Sequence, residues 1–322
     1  MPAAHSKLVV YAATTGNGLI AITKFIAAGY TGSSAMLSEA VHSVADTGNQ
    51  LLLLYGMHRA DQPPDDLHPL GHGRELYFWS FIVALIMFTL GAGVALYEGV
   101  QHILHPVPVS DPTINYIVLG CAFVFEGASW AIALREFRRA KGRMGYIEAM
   151  RRSKDPVAFT VLFEDTAAML GLAFAFIGTL LAEHLHMPVL DGVASLAIAG
   201  VLGLTAIVLA RETKGLLIGE PASRAVRESI LAIANRTKGV DRAHIAFTVH
   251  QAPDEIVVAL SLEFDDHMKA PDIEKTVNML EAAIHDAHPE VMAIFVKPQT
   301  SAEHRANPYG RLDTETEGSV VR

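Results

Sequence analysis

Residues 77–103 read YFWSFIVALIMFTLGAGVALYEGVQHI, and Glu98 is the only Asp, Glu, Lys or Arg in the run. About 20 apolar residues suffice for a helix to cross the hydrocarbon core of a bilayer. This stretch is long enough, and lipid offers its backbone no hydrogen-bond partner, so a spanning helix is expected. Five more runs qualify, roughly Leu8 to Ala28, Ala35 to Met57, Ile114 to Leu134, Val157 to Leu181 and Leu190 to Ala210. The composition agrees, because 322 residues that are 51% hydrophobic and 18% charged are too apolar for an ordinary soluble domain. Six spans put both termini on one side. The connections 29–34, 102–113 and 183–189 contain no Lys or Arg. By contrast, Arg135, Arg138, Arg139, Lys141, Arg143, Arg151, Arg152 and Lys154 crowd the link between spans four and five, and Arg59 and Arg74 lie between spans two and three. Basic loops stay in the cytoplasm, so those links and both termini are predicted to be cytoplasmic.

After Arg211 soluble patterning begins. An amphipathic stretch from Ala222 to Thr237 precedes two alternating runs, HIAFTVHQ and EIVVALSLEF, joined at Ala252, Pro253 and Asp254. Apolar Ile273, Val277, Leu280 and Ile284 then mark a helix from about Pro271 to His285, followed by a strand, VMAIFVKP. The order helix, strand, strand, helix, strand suits a ferredoxin-like α+β domain. The expected fold is thus an α-helical membrane protein: six transmembrane helices in 1–211, a small cytoplasmic ferredoxin-like domain in 212–300 for regulation or dimerisation, and a tail, 301–322, without periodicity and expected to be disordered. The start, MPAAHSKLVV, lacks the pattern of a removable signal peptide. A net charge of −9 argues against a general nucleic-acid binder. Cys121 is the single cysteine, so metal chemistry would have to use His, Asp and Glu.

Ionisable residues inside spans each call for a reason, because one at a helix centre costs about 2.5 to 3.5 kcal/mol. His42 and Asp46 form H-x-x-x-D, which sets both side chains on one helix face a turn apart. Asp46 lies roughly 17 Å into span two from outside, and Asp165 roughly 13 Å into span five from the cytoplasm, at 1.5 Å per residue. In a core of about 30 Å these depths meet near the midplane, where secondary transporters commonly bind their cargo. An imidazole and two carboxylates converging there suit zinc or another borderline divalent ion. Glu164 sits about 100° around the helix from Asp165, where it either ligates directly or holds a proton or orients a ligand. Lys24, Glu98 and Glu126 read as structural, with Lys24 snorkelling or pairing with Glu126.

The stretches SAMLSEAVHSVADTGNQLLLLYG (34–56), HPLGHGRELYFWSF (68–81), YEGVQHILHP (97–106) and LLIGEP (216–221) together closely resemble the cation diffusion facilitator family. The resemblance implies a homodimeric secondary transporter, a multi-pass protein of a bacterial inner membrane. It would move Zn2+ as its cargo out of the cytosol in exchange for protons, by alternating access, with Fe2+, Mn2+ or Co2+ as alternative cargo. It implies metal ligands at His42, Asp46 and Asp165. Members of the family commonly carry a ligand four residues before the span-five Asp, a position occupied here by Val161. FEDTAAMLG (163–171) looks like a subgroup with Glu164 beside the Asp, so either Glu164 or water completes the site. Asp65, His68 and His72 match a secondary interfacial metal site of the family. Residue-based reading of that loop also allows a solvated turn whose Pro and Gly end helices. His244 falls where some relatives place a ligand, but the later positions are Ser261 and Val296, so a full cluster is not expected. An enzyme is disfavoured because there is no H-E-x-x-H, nucleophile elbow or CxxC. A membrane metal sensor is the other alternative.

Overall fold

The computed structural model describes residues 2–31, 34–106, 112–142, 144–146, 149–150 and 153–306. The chain divides into two compact units, 1–217 and 218–322.

Among the described residues of the first unit are six long helices: α1 (Pro2–Thr31), α2 (Ser34–Ala60), α3 (Glu75–Leu104), α4 (Pro112–Lys141), α5 (Pro156–His184) and α6 (Val189–Ile218). The helices in 75–104, 116–139, 156–184 and 189–218 are long and apolar enough to cross a membrane. Large apolar side chains such as Phe88, Val124, Phe176 and Leu204 are exposed on their outer faces, where a lipid environment covers them without cost. The C-terminal end of α4 carries Arg138, Arg139 and Lys141 in its last turn, favourable against the helix dipole. Asp155 starts α5 by accepting from the amides of Val157 (3.1 Å) and Ala158 (3.4 Å), and Pro156 at the first helical position sacrifices no hydrogen bond.

Small residues let the helices approach closely. Gly99 on α3 and Gly192 on α6 meet where an added Cβ at 192 would lie 3.0 Å from the Gly99 carbonyl oxygen, and Gly178 on α5 abuts Ala194 on α6. In lipid no hydrophobic force drives helices together, so such backbone proximity and the contacts it permits supply the cohesion. Within α3, Met87–Ala92 forms a π-helical segment, a local widening often found at functional sites.

In the second unit α7 (Arg224–Arg236) leads into β1 (Val240–Ala252) and β2 (Glu255–Phe264), followed by α8 (Ala270–Ala287) and β3 (Val291–Pro298). The sheet order is β1-β2-β3, with β1 and β2 antiparallel and β2 and β3 parallel. Val258, Leu260 and Leu262 of β2 bury against Ile230 and Ala234 of α7 and Leu280 and Ile284 of α8 in one apolar core.

The segment expected to be a disordered tail from 301 instead begins with a helix, α9 (Ser301–Ala306); residues 307–322 lie outside the described residues. A capping box explains α9. The Thr300 hydroxyl accepts from the Glu303 amide at 3.3 Å, and the Glu303 carboxylate accepts from the Thr300 amide at 3.1 Å. Its inner face is held by His304, stacked on His244 of β1 at 4.7 Å.

Gly192→Ala should lower the thermal midpoint of the detergent-solubilised protein, because the new methyl meets Ile103 Cγ1 at 2.8 Å and backbone on α3 at 3.0 Å. Overpacking of this kind costs about 1–3 kcal/mol. Gly200→Ala, with nothing within 4 Å, should not lower the midpoint. Scanning fluorimetry on the two variants checks the contrast.

Candidate functional site

A cavity of about 130 Å³ lies inside the helix bundle, with lining residues from all six long helices. Its apolar wall includes Met87, Leu90 and Gly91 from the π-helical segment of α3 and Ile198 and Leu202 from α6. The polar wall is Asn17 and Lys24 from α1, Ser43, Asp46 and Asn49 from α2, Glu126 from α4, and Glu164 and Asp165 from α5. Helical periodicity explains the grouping on each helix: Asn17 and Lys24 are two turns apart, and Ser43, Asp46 and Asn49 are spaced at successive near-turns.

Of the residues singled out from sequence, Asp46, Glu164 and Asp165 therefore converge on one cavity. His42 lies on α2 one turn before Asp46, and its side chain is outside the described residues. Asp165 is 1% exposed, and one of its oxygens accepts from the Ser129 hydroxyl at 2.8 Å. Glu164 is 6% exposed; its Oε1 accepts from the Asn49 amide at 3.0 Å, while its Oε2 is buried with no protein partner among the described residues. Both helix-α5 carboxylates are thus aimed by neutral donors from other helices. Val161, one turn before Asp165, is fully buried in the apolar core.

Several members of this polar wall were not singled out from the sequence, or were read as structural. Lys24 and Glu126 line the same cavity, with the Lys24 ammonium donating to the Ser43 hydroxyl at 2.9 Å. Glu126 Oε2 is buried without a partner among the described residues. Asn17 donates to Gln50 at 3.0 Å and ties α1 to α2 beside the cavity. Spacing held a usable signal for Asn49 and Ser129, because each lies three residues beyond a cavity-lining acid, Asp46 and Glu126, on the same helix face.

In the loop between α2 and α3, Asp65, His68 and His72 offer ligand atoms that all lie within 4.8 Å of one another. Asp65 organises the group. Its Oδ1 accepts from the Leu67 amide at 2.9 Å, the His68 amide at 2.6 Å and His68 Nδ1 at 3.0 Å, and Oδ2 faces His72 Nε2 at 3.2 Å. The His68 amide is the chief reason that the Asp65 carboxyl is held down at about 2. His72 is buried, and its Nδ1 has no partner among the described residues.

In the second unit His244 Nε2 lies 3.7 Å from Glu263 and its ring stacks on His304. Ser261 is engaged by Gln299 at 3.1 Å and Val296 packs against the core, so neither extends that group. Among the described residues, the loop trio is the only set of three His, Cys, Asp or Glu side chains close enough to share an ion.

The sequence profile of the cation efflux transmembrane domain matches residues 10–218. A human protein named proton-coupled zinc antiporter SLC30A9, mitochondrial, is 39% identical over 213 residues, which cover 65% of this chain and 37% of that protein. Metal tolerance protein C4 of Arabidopsis thaliana is 30% identical over 266 residues, covering 82% of this chain and 58% of its own length. The cation-efflux pump FieF of Escherichia fergusonii is 28% identical over 274 residues, covering 85% and 86%. The chain thus spans little more than a third to a half of the first two relatives.

The loop geometry makes its own prediction. A carboxyl held at about 2 stays ionised through the range above its ordinary value of 3.8, so its stabilising contribution is present there and is lost as pH falls through about 2. Amide-exchange protection at Leu67, whose amide donates to the Asp65 side chain, should therefore persist from neutral pH to pH 4 and vanish at every pH in Asp65→Ala, whereas the His68 amide keeps the backbone carbonyl of residue 65 as an acceptor. Hydrogen exchange read by mass spectrometry on peptides covering 61–74 measures both.

Proposed function

The chain belongs to the cation diffusion facilitator family of cation efflux transporters, and on that premise we propose that it exports a divalent transition-metal ion, Zn2+, from the cytosol in exchange for protons. One observation carries this reading. Four carboxylates, Asp46, Glu126, Glu164 and Asp165, line one cavity inside a bundle whose outer surface is apolar. Ionised carboxylates are costly in such surroundings, and a dication or bound protons offset that cost. Because ligands bind metal in their deprotonated form, metal and protons compete for the same atoms, and antiport follows from the competition.

In this reading His42, Asp46, Asp165 and Glu164 hold the ion once the helices draw the three described carboxylates together, since they line one cavity here without lying close enough to share it. Glu164 ligates through Oε2 while Asn49 fixes Oε1, and Ser129 fixes Asp165. The burial of Val161 in the core supports a site that lacks the family's usual span-five partner. Imidazole with carboxylate oxygen favours zinc over harder ions, and the name of the human relative, a proton-coupled zinc antiporter, points the same way. Asp65, His68 and His72 hold a second, interfacial metal ion. All six long helices span the membrane with both termini in the cytoplasm, alternating access exposes the cavity to either side, and the cytoplasmic domain, of ferredoxin-like type, pairs two protomers.

Sealed vesicles containing the purified protein test the proposal. Metal should enter faster when the receiving side is acid, and the lumen should change pH as metal crosses. Asp46→Ala and Asp165→Ala should each abolish flux while leaving a folded protein, and wild-type flux in either variant would refute the assignment. A membrane metal sensor or an enzyme would move no metal in this assay.

Glu164→Gln separates the two roles open to that residue. As a direct ligand its loss of charge should weaken metal affinity more than 100-fold by calorimetry, whereas a residue that only orients a ligand would change affinity by about 10 to 100-fold.

A further inference from the structure

The carboxylate cavity also contains a cation of the protein's own. Lys24 on α1 is 6% exposed, and among the described residues lining the cavity it carries the only positive charge. Its ammonium donates to Ser43 Oγ on α2 at 2.9 Å, close to the cluster that Asp46, Glu126, Glu164 and Asp165 form. A hydroxyl needs only a neutral donor, and joining α1 to α2 is already served by the Asn17–Gln50 amide pair. A permanent charge at this point therefore calls for an electrostatic reason.

We infer that Lys24 is a tethered competitor of the transported ion, its ammonium compensating the carboxylates while the cavity holds no metal and withdrawing along its stem when a dication enters. This rests on the reading of the cavity as the transport site. Lysine suits the role, because its charge is compact and rides on a flexible four-carbon stem. In a cavity of about 130 Å³ an ammonium and a dication repel strongly at low effective dielectric. Four acids without that opposition would hold a dication tightly, and transport requires binding that is favourable on entry yet weak enough for release. Lys24 therefore sets affinity and turnover together without touching the metal.

The test measures zinc chloride binding by calorimetry and zinc flux in vesicles, in a background carrying Asp65→Ala, His68→Ala and His72→Ala so that the loop contributes no binding. Lys24→Met and Lys24→Gln should each bind zinc at least about tenfold tighter and turn over at least about tenfold more slowly at saturation, while Lys24→Arg, which keeps the charge, stays near the parent. Tighter binding with slower turnover is a combination that mere loss of packing does not produce. Unchanged or weaker binding in the uncharged variants overturns the inference. So does a chain that folds only with Lys or Arg at 24, since the charge is then structural. Asp165→Ala in the same background separates the two levels: if it binds zinc like the parent, the cavity reading itself fails, whereas loss of binding there with unaltered Lys24→Met sinks only the competitor role.

Discussion

The cost of placing ionised carboxylates where water is scarce governs the first unit of this protein. Asp165 and Glu164 are both more than nine-tenths buried, on a helix long and apolar enough to cross a membrane. Each can persist only because something else meets its charge or its hydrogen-bonding capacity. Ser129 and Asn49 meet part of it from neighbouring helices, and Lys24 brings a positive charge to the same cavity. The carboxylate oxygens Glu164 Oε2 and Glu126 Oε2, buried without a protein partner among the described residues, mark where protein chemistry alone is incomplete. The proposed transport reaction is the completion of that set, by metal in one state and protons in another.

Everything else in the bundle serves to bring these side chains to one place. Neutral donors from α2 and α4 fix the α5 carboxylates, so the site depends on how three helices pack rather than on any one of them. Packing in turn depends on small residues: Gly99, Gly178 and Gly192 allow α3, α5 and α6 to approach until backbones touch. The π-helical segment of α3 faces the cavity with Met87, Leu90 and Gly91, giving the polar cluster an apolar wall across from it. That wall keeps the local dielectric low, which strengthens every electrostatic interaction inside.

The loop and the second unit follow different physics; in the loop, Asp65 and His68 are exposed. Asp65 needs no buried compensation; three donors from Leu67 and His68 hold it ionised, and that arrangement prepares two imidazoles beside it. In the second unit an ordinary apolar core between two helices and a three-stranded sheet provides stability, and the capping box Thr300–Glu303 adds a short helix anchored on His244 through His304. The T-S-A-E signature was present in the sequence, but a tail with no hydrophobic periodicity hides a helix of six residues held on the sheet by the His304 ring against His244 and the Ser301 hydroxyl on Glu263.

The sequence by itself determined the local and periodic features: apolar lengths that match a bilayer, the shift to alternating strands after Arg211, the His42–Asp46 spacing, and the acids that stand out because hydrocarbon makes any charge expensive. Asp65, His68 and His72 stood out through the family resemblance, while the residues alone left a solvated turn open; the structure brings their ligand atoms within 4.8 Å of one another. Only the tertiary structure decided which polar residues share a cavity. Asn49 meets Glu164 across 115 positions and Ser129 meets Asp165 across 36, and Lys24 faces acids from three other helices. No periodicity within one helix encodes such partners, because the rotation of each helix about its axis is set by the small-residue contacts it makes with the others. From sequence Lys24 and Glu126 read as structural, Lys24 snorkelling or pairing with Glu126; packed beside Asp46, Glu164 and Asp165 they become part of the electrostatics of the cavity.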